Sequence, residues 1–135
     1  MAYSLTSPVN YIPRVNSPYG YRNGSFHRGI DWNIPQGSLL LSPRRSSSGT
    51  AYRYYQAGGF GYYLYLRCDD GIGIALAHLK SFIIPNGGRF SFNTPLAYSD
   101  NTGSSTGPHL HMELHKKYGA GFTPQNSTNY ILLKR

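Results

Sequence analysis

A chain of 135 residues is the length of one domain and leaves no room for a two-domain enzyme with an interdomain cleft. Only 13% of residues are charged, while Tyr (13 copies), Gly (16) and Pro (9) abound; none of the three favours helix, which argues against a helical bundle or coiled coil. Thirteen Lys and Arg against five Asp and Glu give a net charge of +8, a field that attracts polyanions, and the single Cys68 excludes an internal disulfide or a multi-cysteine zinc knuckle. Tyrosine-rich runs broken by Gly, Pro, Asn and Ser predict an all-β chain of short antiparallel strands, with little helix.

Taken in chain order, residues 1–25 hold Pro8, Pro13 and Pro18 in polar settings and then Gly20 and Gly24, which predicts a loop-rich lead-in that adds little core. The N-terminus has neither the basic segment nor the apolar segment of a secretory signal, and no stretch approaches the ~18 apolar residues of a membrane span. Leu39 to Leu41 reads as a short strand stopped by Ser42-Pro43. Residues 44–59, with three arginines, a serine run and three tyrosines, fit a surface hairpin or a flexible flap equally well. Phe60 to Cys68, the turn Asp69-Asp70-Gly71 and the return Ile72 to Leu79 predict a hairpin with His78 near its end; Cys68 reads as a buried strand residue. Pro85-Asn86-Gly87-Gly88 is a further turn, and Phe90 and Phe92 alternate with polar neighbours as an edge strand would. A Gly/Ser/Thr loop from Ser99 to Pro108 leads into His109 to Lys116, which has strict period two: His109, His111, Glu113 and His115 on one face, Leu110, Met112 and Leu114 on the other.

Five residues concentrate the chemistry: His27, Asp31, His78, His109 and His111. His78 alone reads as a satisfied structural residue. His109 and His111 share a strand face about 6.6 Å apart, close enough to serve one site. His27 and Asp31 would stand about 13 Å apart on a straight strand, but Gly29 between them permits a bend that closes a chelating loop. Two imidazoles and one carboxylate make three protein ligands, the number of a catalytic zinc site that keeps a position for water. The two remaining histidines are then free to move protons or stabilise a developing oxyanion.

SPYGYRNGSFHRGIDW, LAHL and TGSSTGPHLHMEL resemble the three signatures of the lysostaphin/LytM-type zinc endopeptidases, family M23, which cut the peptide cross-links of bacterial peptidoglycan. The resemblance implies a small domain of antiparallel sheets framing a groove over residues 17–115, after a lead-in of 1–16 and before an extension, 116–135, packed on the same domain. It implies Zn2+ held by His27, Asp31 and His111, with His78 and His109 flanking the reactive water as catalytic residues; either could be the base. Tyr19 or Tyr21 would correspond to the tyrosine that some relatives place over the site. Leu76, Met112 and the segment Phe90 to Leu96 depart from the family pattern and are expected to alter groove walls and packing.

Glu113 reads as a solvent-facing strand residue, with the orienting of a neighbouring imidazole as the alternative. His115, about 13 Å beyond His111, is too far to ligate the same ion and is left out of the site. The +8 charge then fits an anionic wall, held by Arg44, Arg45, Arg53 and Arg89, better than nucleic acid. The expectation is a peptidoglycan endopeptidase of a phage virion or tail, with other tail proteins as partners, or a protein acting outside the cell at the wall. The alternative is a zinc-binding wall-binding or tail module of the same fold without turnover.

Overall fold

A computed structural model describes residues 4–17, 19–22, 24–100, 109–115, 124–125 and 131–133. Most of the loop expected between Ser99 and Pro108, and most of the C-terminal extension, lie outside the described residues. Within them there are fourteen strands and no helix, the all-β architecture that the composition favoured. In chain order these are β1 Ser4–Thr6, β2 Arg14–Ser17, β3 Gly20–Arg22, β4 Ser25–His27, β5 Ile30–Asn33, β6 Leu39–Leu41 and β7 Gly49–Gln56. There follow β8 Gly61–Cys68, β9 Gly73–Phe82, β10 Gly88–Phe90, β11 Pro95–Ser99, β12 Leu110–His115, β13 Pro124–Gln125 and β14 Ile131–Leu133.

Ten strands make one sheet along the path β10-β7-β8-β9-β12-β5-β2, with β11 joining β6 to β9 and β13 lying on β12. Every pairing in it is antiparallel. β3 and β4 form a separate ribbon, and β1 runs parallel to β14. The 44–59 ambiguity resolves as a strand: β7 pairs with β8 without interruption from Gly49↔Cys68 to Gln56↔Gly61. The expected edge strand ends early, at Phe90, because Ser91 N–H donates to Thr94 Oγ1 (2.9 Å) in a turn that throws Phe92 out of the sheet, under the Arg45 guanidinium. Among the described residues the lead-in carries three short strands and gives only Val9 to the core, as its prolines implied.

Period-two alternation divides the sheet into two chemical faces. Leu64 and Leu66 of β8, Ile74 and Leu76 of β9, Leu110, Met112 and Leu114 of β12, and Ile30 and Trp32 of β5 point into one core closed by Ile34, Leu40, Phe90 and Leu96. Each fully buried leucine there contributes about 1.5–3 kcal/mol. On the opposite face the same strands present Tyr65, Ala75, Ala77, His111, Glu113, His115 and Asp31. The apolar stripe thus fixes register, and register places the polar stripe.

Candidate metal centre

One transverse row of the sheet builds the centre: Ala77 on β9, His111 on β12 and Asp31 on β5 are direct cross-strand neighbours. His27, the last residue of β4, reaches the row from the connection Arg28-Gly29. That connection needs glycine for closeness rather than for an unusual turn, since a Cβ at Gly29 would stand 2.5 Å from the Met112 carbonyl oxygen and 2.8 Å from His111 Cε1. The backbone of the loop therefore lies directly against β12, and His27 and Asp31 converge where a straight strand would have separated them.

His27 Nε2 lies 3.3 Å from His111 Nδ1 and 3.3 Å from Asp31 Oδ2, and His111 Nδ1 lies 2.7 Å from Asp31 Oδ1. The three donor atoms all fall within 4.8 Å of one another. A tetrahedral ion with bonds of 2.0–2.1 Å to nitrogen or oxygen has ligand-to-ligand edges of about 3.3 Å, so the donor set and its spacing fit zinc. His109 Nε2 stands 3.8 Å from Asp31 Oδ1, and the His109 and His78 rings meet with centroids 4.9 Å apart. All five residues singled out in the sequence are thus brought together.

Burial opposes ionisation of Asp31, but the hydrogen bond with His111 and the charges of His111, His27 and His109 hold its carboxyl below the ordinary value. Burial likewise disfavours a charged His111, yet its hydrogen bonds to Asp31 and Glu113 outweigh that and raise its pKa to about 9. The carboxylates that raise the affinity of His111 for a proton would equally favour a cation beside it.

His78 reaches this face through a backbone irregularity. Alternation along β9 puts Ile74 and Leu76 in the core and Ala75 and Ala77 on the polar face, which would send His78 into the core. Instead His78 adopts φ +61°, the β8–β9 register shifts between Tyr62 and Leu64, and Leu79 takes the next core position. A bulge of this kind re-aims one side chain while the strand continues. The strand runs on to Phe82, so His78 sits at this bulge and not at a strand end. A non-glycine residue at positive φ costs of order 1–3 kcal/mol and persists where its surroundings hold it. Here His78 N–H donates to the Phe60 carbonyl (2.8 Å), and its own carbonyl accepts from Asp100 N–H (3.0 Å).

Two readings of β12 need correction. Glu113 is buried (5% exposed), and its Oε2 lies 3.0 Å from His111 Nε2, which makes it the carboxylate that orients the His111 imidazole. Burial pushes the Glu113 carboxyl up, but hydrogen bonds from His111 and His115 dominate and bring it to about 2, so it is ionised. His115 lies outside the cluster of His27, Asp31 and His111, yet it joins the site through Glu113 Oε1 (3.1 Å) and Tyr65 Oη (2.7 Å). Sequence reasoning missed Tyr65, and also Phe60, whose ring lies 5.2 Å from that of His111. The signal available for the β12 pair was its unbroken polar face. Tyr65 could be found only once Ala75 was known to stand between it and Glu113 in register.

Tyr21 pairs with Phe26 and Gly20 with His27, so Tyr21 and His27 lie on opposite faces of the β3–β4 ribbon; Tyr21 stacks on Phe26 and is 86% exposed, and Tyr19 meets the same ring edge-on. Leu76 and Met112 are neighbours inside the core, so these departures alter packing beneath the site rather than a groove wall. Of the four arginines expected to grip an anionic surface, Arg44 is buried and ion-paired with Asp70 beside Cys68. Burial pushes the Cys68 thiol up to about 12, in keeping with an inert interior residue. Arg89 is exposed and pairs with Asp69 at 2.7 Å.

A donor triad with two further imidazoles alongside, gathered where the β3–β4 ribbon meets the antiparallel sheet, is the arrangement of a metallohydrolase centre. Residues 25–124 match the model of Peptidase family M23, and the chain belongs to that family of peptidases. It is 38% identical over 116 residues to an uncharacterized metalloprotease of Haemophilus influenzae, covering 80% of this chain and 24% of the relative. It is 34% identical over 112 residues to the DD-carboxypeptidase/endopeptidase Mpg of Neisseria meningitidis, covering 78% and 25%. The chain therefore spans about a quarter of the length of these relatives. The catalytic domain of the antimicrobial peptidase lysostaphin from Staphylococcus simulans shares the fold, with a TM-score of 0.76 at 24% identity over 86% of this chain and 90% of that one.

Proposed function

We propose that the protein is a zinc-dependent endopeptidase that hydrolyses peptide cross-links of bacterial peptidoglycan. The observation that carries this reading is the convergence of His27 Nε2, Asp31 and His111 Nδ1 at spacings that suit one tetrahedral ion, with His78 and His109 beside them. A zinc ion there supplies Lewis acidity, acidifying water and polarising a peptide carbonyl. His109 Nε2 accepts the proton that the attacking water loses and returns it to the departing amine nitrogen. His78, aimed at the same space by its bulge, donates a hydrogen bond to the carbonyl oxygen as that oxygen gains charge. Glu113 holds the His111 ring from behind.

A cavity of about 340 Å³ beside His111, with Arg28, Gln56, Phe60 and Tyr63 in its wall and Tyr65, Ala75, Glu113 and His115 completing it, offers aromatic walls and amide and guanidinium groups to a peptide on one side of the scissile bond. Between a glycine bridge and a DD bond, the 34% identity to a DD-carboxypeptidase/endopeptidase supports the DD bond, whereas the 24% identity to lysostaphin speaks to fold alone. This substrate assigns the protein's action to the bacterial wall, delivered on a phage tail or by secretion. Purified protein should carry one zinc per chain and should release cross-link fragments from sacculi, read by mass spectrometry, with cleavage stopped by a chelator and restored by zinc. Chelator-insensitive cleavage, or protein without zinc, would overturn the reading.

A further inference from the structure

The hydrogen-bonded chain on the polar face does not stop at the carboxylate that orients His111. From Glu113 Oε1 it passes to His115 Nε2 (3.1 Å), and from His115 Nδ1 to the Tyr65 hydroxyl (2.7 Å), fifty residues away in sequence. All of it is buried: Tyr65 is 7% exposed, Glu113 5% and His115 0%. Sheet register explains the reach, because Tyr65, Ala75 and Glu113 are successive cross-strand neighbours on β8, β9 and β12, and the short Ala75 side chain lets the phenol pass over β9.

Donor counting gives this chain a direction. A carboxylate lodged between two ring nitrogens accepts from both, so the imidazoles that face Glu113 present N–H: His111 through Nε2 and His115 through Nε2. In a neutral His115 that leaves Nδ1 as an acceptor, and the Tyr65 hydroxyl is the donor that satisfies it. Burial keeps that phenol protonated, its pKa pushed up to about 12. Were the hydroxyl absent, Nδ1 would lose this donor and the His115 ring would be free to turn away from the carboxylate to find another. Glu113 would then lose one of its two donors, and with it the fixed position from which it holds His111.

We propose that Tyr65 and His115 are positioning residues of the metal centre, which act through Glu113 to lock His111 in the Nε2–H tautomer so that Nδ1 offers its lone pair to a cation. The inference rests on the zinc-binding reading above and extends it to two residues outside the donor triad, in the wall of the cavity beside it.

The test is a double-mutant cycle read by zinc affinity, measured by competition with a chromogenic chelator on intact protein. Tyr65→Phe keeps the ring and removes the hydroxyl, and should weaken zinc binding about tenfold, the lower end for loss of a partner that orients a ligand. His115→Gln places an amide N–H where Nε2 was and has no Nδ1 for the phenol to satisfy, so its affinity should stay within about twofold of wild type, the limit of ordinary additivity. In the His115→Gln background Tyr65→Phe should then have no further effect. A packing role for Tyr65 would instead cost the same in both backgrounds, and that result, or wild-type affinity in the Tyr65→Phe protein, overturns the proposal. Nitrogen-15 shifts of the imidazoles in zinc-loaded protein give a readout that does not depend on affinity: His115 should be Nε2–H with a hydrogen-bonded Nδ1 in wild type, and its Nδ1 resonance should move toward that of an unbonded lone pair in Tyr65→Phe. If wild type itself takes up no zinc, the proposed function fails. Normal uptake with an unresponsive cycle sinks this inference alone.

Discussion

Gly29→Ala puts the packing argument at risk most directly. The added methyl would sit 2.5 Å from the Met112 carbonyl oxygen, 2.8 Å from His111 Cε1 and 2.9 Å from Glu113 Cγ, and two of these belong to the residues that form and orient the metal centre. Ordinary contact begins near 3.5 Å, so the 28–30 connection must retreat by roughly 0.5–1 Å from β12. Overpacking of this kind costs about 1–3 kcal/mol. For a domain between the usual small and medium classes that is a fall in Tm of about 4 °C per kcal/mol. The retreat also pulls Asp31 and His27 away from His111, so zinc affinity should fall along with stability, by about tenfold or more. Thermal melts of metal-free and zinc-loaded protein, with chelator competition, measure both. If Gly29→Ala melts within about 2 °C of wild type and binds zinc equally well, the connection does not pack against β12 as described.

His109→Ala should keep its zinc, because His109 is outside the ligand triad, yet lose about 10²–10⁴-fold in the rate of sacculus digestion. A wall-binding module without turnover would show no hydrolysis before or after the change, and an undiminished rate would remove His109 as the proton carrier. The linkage of pH to stability runs through His111. Its pKa in the metal-free fold, about 9 against an ordinary 6.5, is raised, so its stabilising contribution is complete below about 6.5 and is lost as pH climbs through about 9. Zinc replaces that proton, so the gain in Tm on zinc loading should widen from pH 6.5 to 9. A gain that stays flat over that interval in differential scanning would contradict it.

What the sequence discloses follows from how local each signal is. The triad is legible because His109 to His115 alternates without a break, and because few acidic residues exist to stand beside a histidine as Asp31 does. The core faces of β8, β9 and β12 follow from the same period of two. Arg44 was misjudged as a surface charge because composition cannot say that Asp70, 26 residues on, folds back onto it. Glu113 was misjudged for the opposite reason: a carboxylate on a polar strand face looks solvated until two buried imidazoles are found donating to it.

His78 shows where residue patterns and backbone geometry part. Strict alternation from Ile74 assigns it to the core, and only the leucine that follows it hints otherwise, since Ile74, Leu76 and Leu79 break the count of two. One residue at φ +61° reconciles an apolar pattern that must stay in the core with an imidazole that must leave it. That irregularity carries a cost which the apolar pattern alone gives no reason to bear, because a leucine at position 78 would continue the core stripe with no bulge at all. The strain is placed where a side chain is needed on the polar face, 4.9 Å in ring centroids from His109 and 6.1 Å from His111. A strand whose only task was to pack would not keep it.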